Sequence, residues 1–301
     1  MDKIVVVGLS GESIFLTVDH FNEIGETVSA NNLFTEPGGK GYNQAIALKR
    51  LGADVSFITA LGADNYSKSS LAGLQDEDII HYVISKKESS ALAVIITDSS
   101  GENKVTVHRG IYDKLEISDF IKYQDVFKDA KYLLIQNEMP IDTVYDLIKF
   151  ASSFNIKVIF NPAPAVRLDE DIYKYIYLMT PNEHEAKVIF GLNNDADIYD
   201  IIKKSKEHNL NRLIVTLGSK GVLVYEDGIS DIIPPRKVQV VDTTGAGDSF
   251  NSALVYGLSI GMSLKDSAIF GNIAASISVT KRGIIGSMPY LSDVMKVYKN
   301  E

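Results

Sequence analysis

The chain has 301 residues, of which 45% are hydrophobic and 23% are charged, a composition typical of globular proteins. It contains no cysteine, which excludes disulfides, thiolate nucleophiles and zinc–thiolate sites and favours a cytoplasmic location. A formal net charge of −9 disfavours contact with a nucleic-acid backbone. The five histidines show no metal-ligand spacing, and no apolar run is long enough to span a membrane.

The chain begins with a short apolar run, residues 4–7, which predicts a buried first strand rather than a signal peptide. Gly8 and Gly11 follow it. The complete G-x-G-x-x-G pattern of dinucleotide-binding folds is absent, and the next segments lack the helical period that such a fold needs. We therefore do not expect a dinucleotide-binding protein.

Four segments near the amino-terminal half have no helical period and predict the strands of a small separate sheet: residues 13–18, 26–30, 91–97 and 104–108. The last two flank a turn at residues 99–102, which indicates a β-hairpin. We expect residues 10–36 and 91–108 to form a β lid, because an insertion built from two separated segments is able to close over a site.

The rest of the chain alternates between short apolar runs and amphipathic segments. Strands are predicted at 132–135, 157–160 and 213–216, and helices at 141–152, 182–190 and 198–208. This alternation predicts an α/β fold with a doubly wound, mostly parallel sheet, formed by residues 1–9, 37–90 and 109–301. Ligands of such sheets bind at the carboxyl ends of the strands.

The most informative motif is Gly245-Ala246-Gly247-Asp248, which precedes an apolar helical segment at residues 249–256. A glycine turn at a helix start leaves backbone N–H groups free, and the helix dipole adds partial positive charge, so the motif predicts an anion hole. Asp248 is then able to take a proton from an alcohol while the N–H groups hold the phosphate that the alcohol attacks. The same motif is also typical of a capped surface helix.

Other polar or glycine-rich segments lie at predicted strand ends or before helices: residues 37–44, 136–140, 161–164, 180–185 and 216–221. A helix is predicted at 45–51, and Lys40 and Asn43 lie about one helical turn apart. Asn182 and Glu185 are spaced either for a capping box or for holding a hydrated Mg²⁺ beside phosphates. Each segment alone also fits an ordinary turn, whereas together they match the needs of a phosphoryl-transfer site.

Two signatures carry a resemblance to the ribokinase family (phosphofructokinase-B type) of ATP-dependent sugar and nucleoside kinases. Gly38-Gly39-Lys40-Gly41 with Asn43-Gln44 resembles the family's amino-terminal signature, and residues 242–248 resemble its carboxyl-terminal one. The resemblance runs nearly end to end. It implies a ribokinase-like fold, ATP as the phosphoryl donor, Mg²⁺, K⁺ as an activator, and a homodimer formed through the lid.

The resemblance also implies a role for individual residues. Asp248 would be the base, and the N–H groups of Gly245, Ala246 and Gly247 would stabilise the transferring phosphoryl group. The sugar would be held by Gly39, Lys40, Asn43 and Glu138. The ATP site would be lined by Asn182, Thr216, Gly218, Ser219, Gly221, Gly247 and Asn272. Asn182 and Glu185 would order Mg²⁺ through water, and a monovalent cation would lie in a loop formed by Asp242, Thr244, Ser278, Lys281, Gly283 and Ser287.

The chain departs from the family at the sugar-binding wall. Ribokinases carry an Asn and an Asp, two positions apart, that bind sugar hydroxyls, and these positions are Gly11 and Ser13 here. The intervening Glu12 should point to the opposite face of its strand by period two. Arg109, at the end of a lid strand, is either a donor to a carbonyl or carboxylate of the acceptor or a surface arginine.

We therefore expect a sugar kinase whose acceptor, a pentose, ketose or hexose, differs from plain ribose or binds ribose poorly. A nucleoside kinase is the alternative within the family. A sugar sensor without turnover is a third hypothesis, and the intact Asp248 and anion hole argue against it.

Overall fold

A computed structural model describes residues 1–299. Its strands, in chain order, are β1 (Ile4–Val7), β2 (Gly11–Thr17), β3 (Asn32–Gly38), β4 (Val55–Ala60), β5 (Ile80–Ile84), β6 (Ala91–Thr97), β7 (Asn103–His108), β8 (Tyr132–Gln136), β9 (Lys157–Asn161), β10 (Leu178–Met179), β11 (Arg212–Thr216), β12 (Val222–Glu226) and β13 (Ile229–Ile233). Its α-helices are α1 (Lys40–Arg50), α2 (Tyr66–Asp76), α3 (Ile117–Ile121), α4 (Gln124–Lys128), α5 (Ile141–Ser153), α6 (Glu183–Phe190), α7 (Ile198–Glu207), α8 (Ala246–Ser259), α9 (Leu264–Ser278) and α10 (Leu291–Tyr298).

The main sheet has the strand order β13-β12-β11-β10-β9-β8-β1-β4-β5. Every neighbouring pair from β5 to β11 is parallel, whereas β12 and β13 join as antiparallel edge strands. The first strand of the chain, β1, lies inside the sheet, with β4 and β5 on one side and β8 to β13 on the other. This confirms the predicted doubly wound, mostly parallel α/β fold.

Two apolar clusters cover the two faces of this sheet. Val5 and Val7 of β1 belong to one cluster, with apolar side chains of α5, α6 and α7, whereas Ile4 and Val6 belong to the other, with those of α1, α8 and α9. The alternation follows from the two-residue period of a strand. All four side chains of β1 are fully buried, which explains why this strand is a continuous apolar run.

A second sheet, with the order β3-β2-β6-β7, stands apart from the main sheet. The hairpin predicted around residues 99–102 is present as the antiparallel pair of β6 and β7. The strand predicted at 26–30 is wrong, because the partner of β2 is instead Asn32–Gly38. The pairing of Thr17 with Asn32 ends that ladder, so residues 26–30 lie beyond the end of β2 and have no strand to pair with.

Helix α1 begins at Lys40, five residues before the helix predicted at 45–51. Residues 40–44 of the glycine-rich segment therefore form the start of the helix, whereas Gly38 ends β3 and Gly39 is the N-cap. None of the helices in the described part of the chain has the length and apolar character that a bilayer crossing requires.

Candidate active site

The candidate site lies where the carboxyl ends of the parallel strands meet. Polar residues follow β8, β9, β10 and β11 at this edge, and the starts of α1 and α8 point to it as well. Helix starts present unpaired N–H groups and partial positive charge. The edge therefore combines side-chain carboxylates and amides with backbone donors.

Gly39 allows α1 to begin against the end of β1. Its φ of 104° lies in the region that favours glycine, and a Cβ at this position would be 2.5 Å from the carbonyl oxygen of Leu9. The next residue, Lys40, donates its backbone N–H to Glu138 Oε2 at 2.8 Å. This bond joins the start of α1 to the segment after β8.

The side chain of Lys40 lies among three carboxylates, those of Asp248, Glu138 and Glu185. Burial alone would lower the pKa of Lys40, but these carboxylates outweigh it and raise the pKa above its ordinary value. By contrast, burial raises the pKa of the Glu138 carboxyl to about 7, although the charge of Lys40 opposes this shift. The site therefore keeps a permanent cation beside a carboxyl group that titrates near neutral pH.

Asp248 occupies the first turn of α8 and is only 6% exposed. Both carboxylate oxygens accept a hydrogen bond from α1, with Asn43 Nδ2 at 2.8 Å from Oδ2 and Gln44 Nε2 at 2.9 Å from Oδ1. Within residues 1–299, no salt bridge engages Asp248. Two neutral amides thus orient this carboxylate without pairing its charge.

A chain of buried amides supports Gln44. Gln136 Nε2 donates to Gln44 Oε1 at 2.6 Å, and Gln44 Nε2 also donates to Asn161 Oδ1 at 3.0 Å. A second link runs from Thr180 to Asn251, whose amide donates to the Gly247 carbonyl. The sequence placed Gln136, Asn161 and Thr180 at strand ends but assigned them no role, because their side-chain pairing depends on the order of the strands.

The start of α8 has the backbone geometry that the predicted anion hole requires. Gly245 is the N-cap with a φ of 77°, and Gly247 is exposed, with open space where a side chain would be. Ala246 donates its N–H to the Thr243 carbonyl at 3.2 Å. In the described residues, the N–H groups of Gly245 and Gly247 have no hydrogen-bond partner, so these two are the available donors of the predicted three.

Several of the predicted nucleotide residues lie near the carboxyl ends of β10 and β11, whereas Asn272 lines a cavity near β13. Asn182 and Thr216 form a parallel bridge, and Gly218 and Ser219 are exposed in the next turn. Gly221 is buried against the Ile233 carbonyl, so it would shape the turn rather than contact the nucleotide itself. A cavity of about 420 Å³ lies beyond this turn, lined by Ile233, Pro234, Pro235, Arg236, Lys237, Ile269, Asn272 and Ile273. Asn272 donates to the Pro234 carbonyl at 3.0 Å and so anchors one wall of the cavity.

Asn182 and Glu185 form a capping box at the start of α6. Asn182 Oδ1 accepts from the Glu185 N–H at 2.8 Å, and Glu185 Oε2 accepts from the Asn182 N–H at 2.7 Å. This box also places the Glu185 carboxylate close enough to Lys40 and Asp248 for their charges to affect its pKa, which burial raises. No group of three or more His, Asp or Glu side chains within residues 1–299 is arranged to hold a metal ion. A Mg²⁺ bound mainly by water and substrate phosphates, with Glu185 nearby, fits this donor set.

The residues predicted for a monovalent-cation loop differ in their contacts. Asp242 accepts hydrogen bonds from the Thr244 N–H, the Thr244 hydroxyl and the Gly283 N–H, so these three residues contact one another. The hydroxyls of Ser278 and Ser287 are both buried and donate to the carbonyls of Ala275 and Ile284. Lys281 is exposed, and its backbone N–H donates to the Ser278 carbonyl at 3.1 Å.

Comparison with known proteins identifies the family. Residues 1–291 match the pfkB family carbohydrate kinases. The chain belongs to this family. The ribokinase of Lactococcus lactis subsp. lactis is 34% identical over 98% of this chain and 96% of its own length. The structure of ribokinase from Thermotoga maritima matches with a TM-score of 0.92 and 35% identity over all of both chains. Arabidopsis thaliana ribokinase complexed with ribose and ATP matches with a TM-score of 0.88 and 28% identity over 99% of both chains.

The protein is thus an ATP-dependent carbohydrate kinase, as the two glycine signatures predicted. In this pfkB family kinase, Ser13 of β2 is buried beside Gly38, where a Cβ would lie 2.5 Å from the serine hydroxyl. Glu12 lies on the opposite face of the strand and contacts the Ser69 hydroxyl of α2. The predicted orientation of Glu12 is confirmed, so it does not replace the carboxylate that is absent at position 13.

Arg109 pairs with Asp113 at 2.7 Å, and both side chains are about half exposed. Its charge also lowers the pKa of Glu138, although burial keeps that pKa high. Arg109 therefore lies near the group of three carboxylates formed by Asp248, Glu138 and Glu185. Its predicted contact with the acceptor stays a prediction.

Proposed function

We propose that this kinase transfers the γ-phosphoryl group of ATP to a hydroxyl of a small sugar, with Asp248 as the general base. The sugar oxygen forms a new bond to the γ-phosphorus as the bond from that phosphorus to the bridging oxygen breaks. The hydroxyl proton passes to Asp248, and ADP leaves with the bridging oxygen. The Gly245 and Gly247 N–H groups stabilise the charge on the transferring group, and Ala246 begins the helix that orients them.

The observation that carries the proposal is the position of Asp248. Its carboxylate is fixed by Asn43 and Gln44 and lies in the same helical turn as two N–H groups without a partner. A general base must lie beside the position where phosphate is held, and the first turn of α8 supplies both functions. A carboxylate at a helix start that served only as a cap would instead bind backbone N–H groups of that turn.

The acceptor is proposed to bind between α1 and the ends of β2 and β8. Asn43 Oδ1 is buried without a hydrogen-bond partner in the described residues, so it is available to a sugar hydroxyl. Gly39, Lys40 and Glu138 complete the wall next to it. Because Ser13 and Gly11 are small, we propose an acceptor that is bulkier at this wall than ribose, such as a hexose or ketose.

ATP is proposed to lie along Asn182, Thr216, Gly218, Ser219 and Gly247, with its base near Asn272. Glu185 and Asn182 would hold Mg²⁺ through water, and the ion would neutralise phosphate charge. The loop of Asp242, Thr244 and Gly283 would hold K⁺, with the remaining ligands from Ser278, Lys281 and Ser287, and would act by fixing the anion hole.

The second sheet is proposed to be a lid and a dimer contact, with lid boundaries at 10–36 and 91–108. Three apolar side chains on one face of this sheet are exposed, namely Phe34, Val105 and Val107, whereas the exposed Leu33 points to the other face. Such a patch favours association with a second copy of the chain. Replacing Val105 and Val107 with Glu should shift the sedimentation coefficient from dimer to monomer, and a monomeric parent protein would contradict the proposal. A cytoplasmic location stays a prediction.

The function is tested by measuring ADP production by the purified protein with a panel of sugars, sugar acids and nucleosides. We expect one sugar to give the highest kcat/KM and to be consumed in equal amount with ATP. The best acceptor being a nucleoside would contradict the sugar assignment. Steady ADP release without acceptor consumption would contradict the transfer itself.

A further inference from the structure

Glu36 joins the second sheet to the phosphate side of the site. It lies on β3, directly opposite Ser13 of β2, so it shares the face of the sheet that bears the predicted acceptor residue. Its Oε1 accepts a hydrogen bond from the Ile284 N–H at 3.1 Å, although the two residues are 248 positions apart. The backbone N–H of Ile285 is close enough to this carboxylate to lower its pKa.

Ile284 in turn contacts the anion hole. A Cβ at Gly245 would be 2.9 Å from the Ile284 Cγ2, so this side chain packs directly on the N-cap of α8. The preceding residue, Gly283, donates its N–H to Asp242 Oδ2 at 3.2 Å. The loop at 283–285 therefore lies between Glu36 and the turn that presents the Gly245 and Gly247 N–H groups.

The position of Glu36 is electrostatically unfavourable. Burial raises the pKa of its carboxyl, the backbone donors of Ile284 and Ile285 oppose the shift, and the nearby Asp242 and Glu12 carboxylates raise it further. Within residues 1–299, no salt bridge compensates the charge. A half-buried carboxylate near two others costs stability.

We propose that Glu36 is a positioning residue that holds the 283–285 loop against Gly245 and thereby couples the placement of the lid to the geometry of the anion hole. The hydrogen bond exists only when β3 lies over the site, because one partner belongs to the second sheet and the other to the phosphate side. Closure over the acceptor and alignment of the phosphate donors therefore occur together. This inference rests on the proposed role of the Gly245 and Gly247 N–H groups.

The test compares Glu36→Ala, Glu36→Gln and a control, Glu102→Ala, which removes an exposed carboxylate from the β6–β7 turn of the same sheet. Hydrogen–deuterium exchange of the Ile284 amide reports the contact itself, and steady-state kinetics with ATP and the best acceptor reports its effect. We expect Glu36→Ala to exchange at least about tenfold faster at Ile284 and to lose about tenfold in kcat, with the KM for ATP within about threefold. Glu36→Gln keeps an acceptor oxygen, so both values should return to within about threefold of the parent.

Several outcomes would overturn the inference. Unchanged exchange at Ile284 in Glu36→Ala would show that the carboxylate does not hold the loop. Faster exchange with an unchanged kcat would remove the coupling to the anion hole. Equal losses in Glu36→Gln and Glu36→Ala would mean that charge acts rather than the hydrogen bond, and an equal loss in Glu102→Ala would mean that the contact is not specific. If the parent produces no ADP with any acceptor, the proposed function fails, while the exchange measurement still decides whether Glu36 holds the loop.

Discussion

Gln44 donates from Nε2 to Asp248 Oδ1 across 2.9 Å, although the two residues are 204 positions apart in the chain. Its neighbour Asn43 donates to the other oxygen of the same carboxylate. Because the two donors are consecutive residues of α1, the packing of α1 against α8 sets the orientation of the proposed base. The direction in which Asp248 accepts a proton is therefore a property of tertiary packing.

Replacing Gln44 with Met should lower kcat by about tenfold to a hundredfold and leave the KM for ATP within about threefold. The substitution keeps the volume of the side chain but removes its three buried hydrogen bonds, with Asp248, Asn161 and Gln136. The bond to the charged Asp248 alone contributes about 1.5–3 kcal/mol. Steady-state kinetics measures kcat and the KM for ATP separately. Gln124→Met, at an exposed position, is the matched control. An unchanged kcat would show that Asn43 alone orients the base.

Asp248→Asn should bind ATP with unchanged affinity but lose about 10²–10⁴-fold in turnover, the usual contribution of a general base. The amide keeps the shape of the side chain and removes its ability to accept the proton. Titration calorimetry with ATP and an ADP-release assay measure the two quantities, with Asp195→Asn as an exposed control. Turnover within about threefold of the parent would remove Asp248 from the mechanism.

Ser13→Asp should raise kcat/KM for ribose relative to the best acceptor of the parent protein. It restores a carboxylate at the position where ribokinases carry one, next to Gly38, whose lack of a side chain leaves room for it. Ser13→Ala is the control, because it removes the hydroxyl without adding a charge. If ribose is already the best acceptor and Ser13→Asp leaves it unchanged, the interpretation of this position is wrong.

The activity should be higher in K⁺ than in Na⁺ or tetramethylammonium at equal ionic strength. The ion would neutralise Asp242 and stiffen the loop that includes Thr244 and Gly283, next to the anion hole. Rates are measured in the three salts after exhaustive dialysis. Identical rates would argue against a cation site in this loop.

Glu138→Gln should change the pH dependence of stability. The pKa of Glu138 is raised to about 7 in the folded state, from 4.5 when unperturbed, so the folded state binds the proton more tightly. The unfolding free energy of the parent should therefore fall relative to Glu138→Gln as pH rises from about 4.5 to about 7, by on the order of 2 kcal/mol. Urea unfolding across this range measures the difference. A constant difference between the two proteins would show that Glu138 does not titrate there.

Local patterns in the sequence determined the architecture and the central motif. The alternation of apolar runs and amphipathic segments predicts the parallel sheet, and the glycine turn before an apolar helix places Asp248 at a helix start. The two-residue period of β2 predicts that Glu12 faces away from Ser13, which its contact with Ser69 confirms. Each of these features depends on residues only a few positions apart, so it can be predicted directly from the sequence.

Tertiary structure alone decided the remaining features, because each depends on segments that are distant in sequence. The start of α1 at Lys40 is set by its bond to Glu138, and the strand at 32–38 is set by its register with β2. The amide chain from Gln136 through Gln44 to Asp248 requires three elements to meet, and the contact of Glu36 with Ile284 joins opposite parts of the chain. Periodicity and capping act over a few residues, whereas the pairing of buried polar groups is settled only when strand order and helix packing bring them within hydrogen-bonding distance.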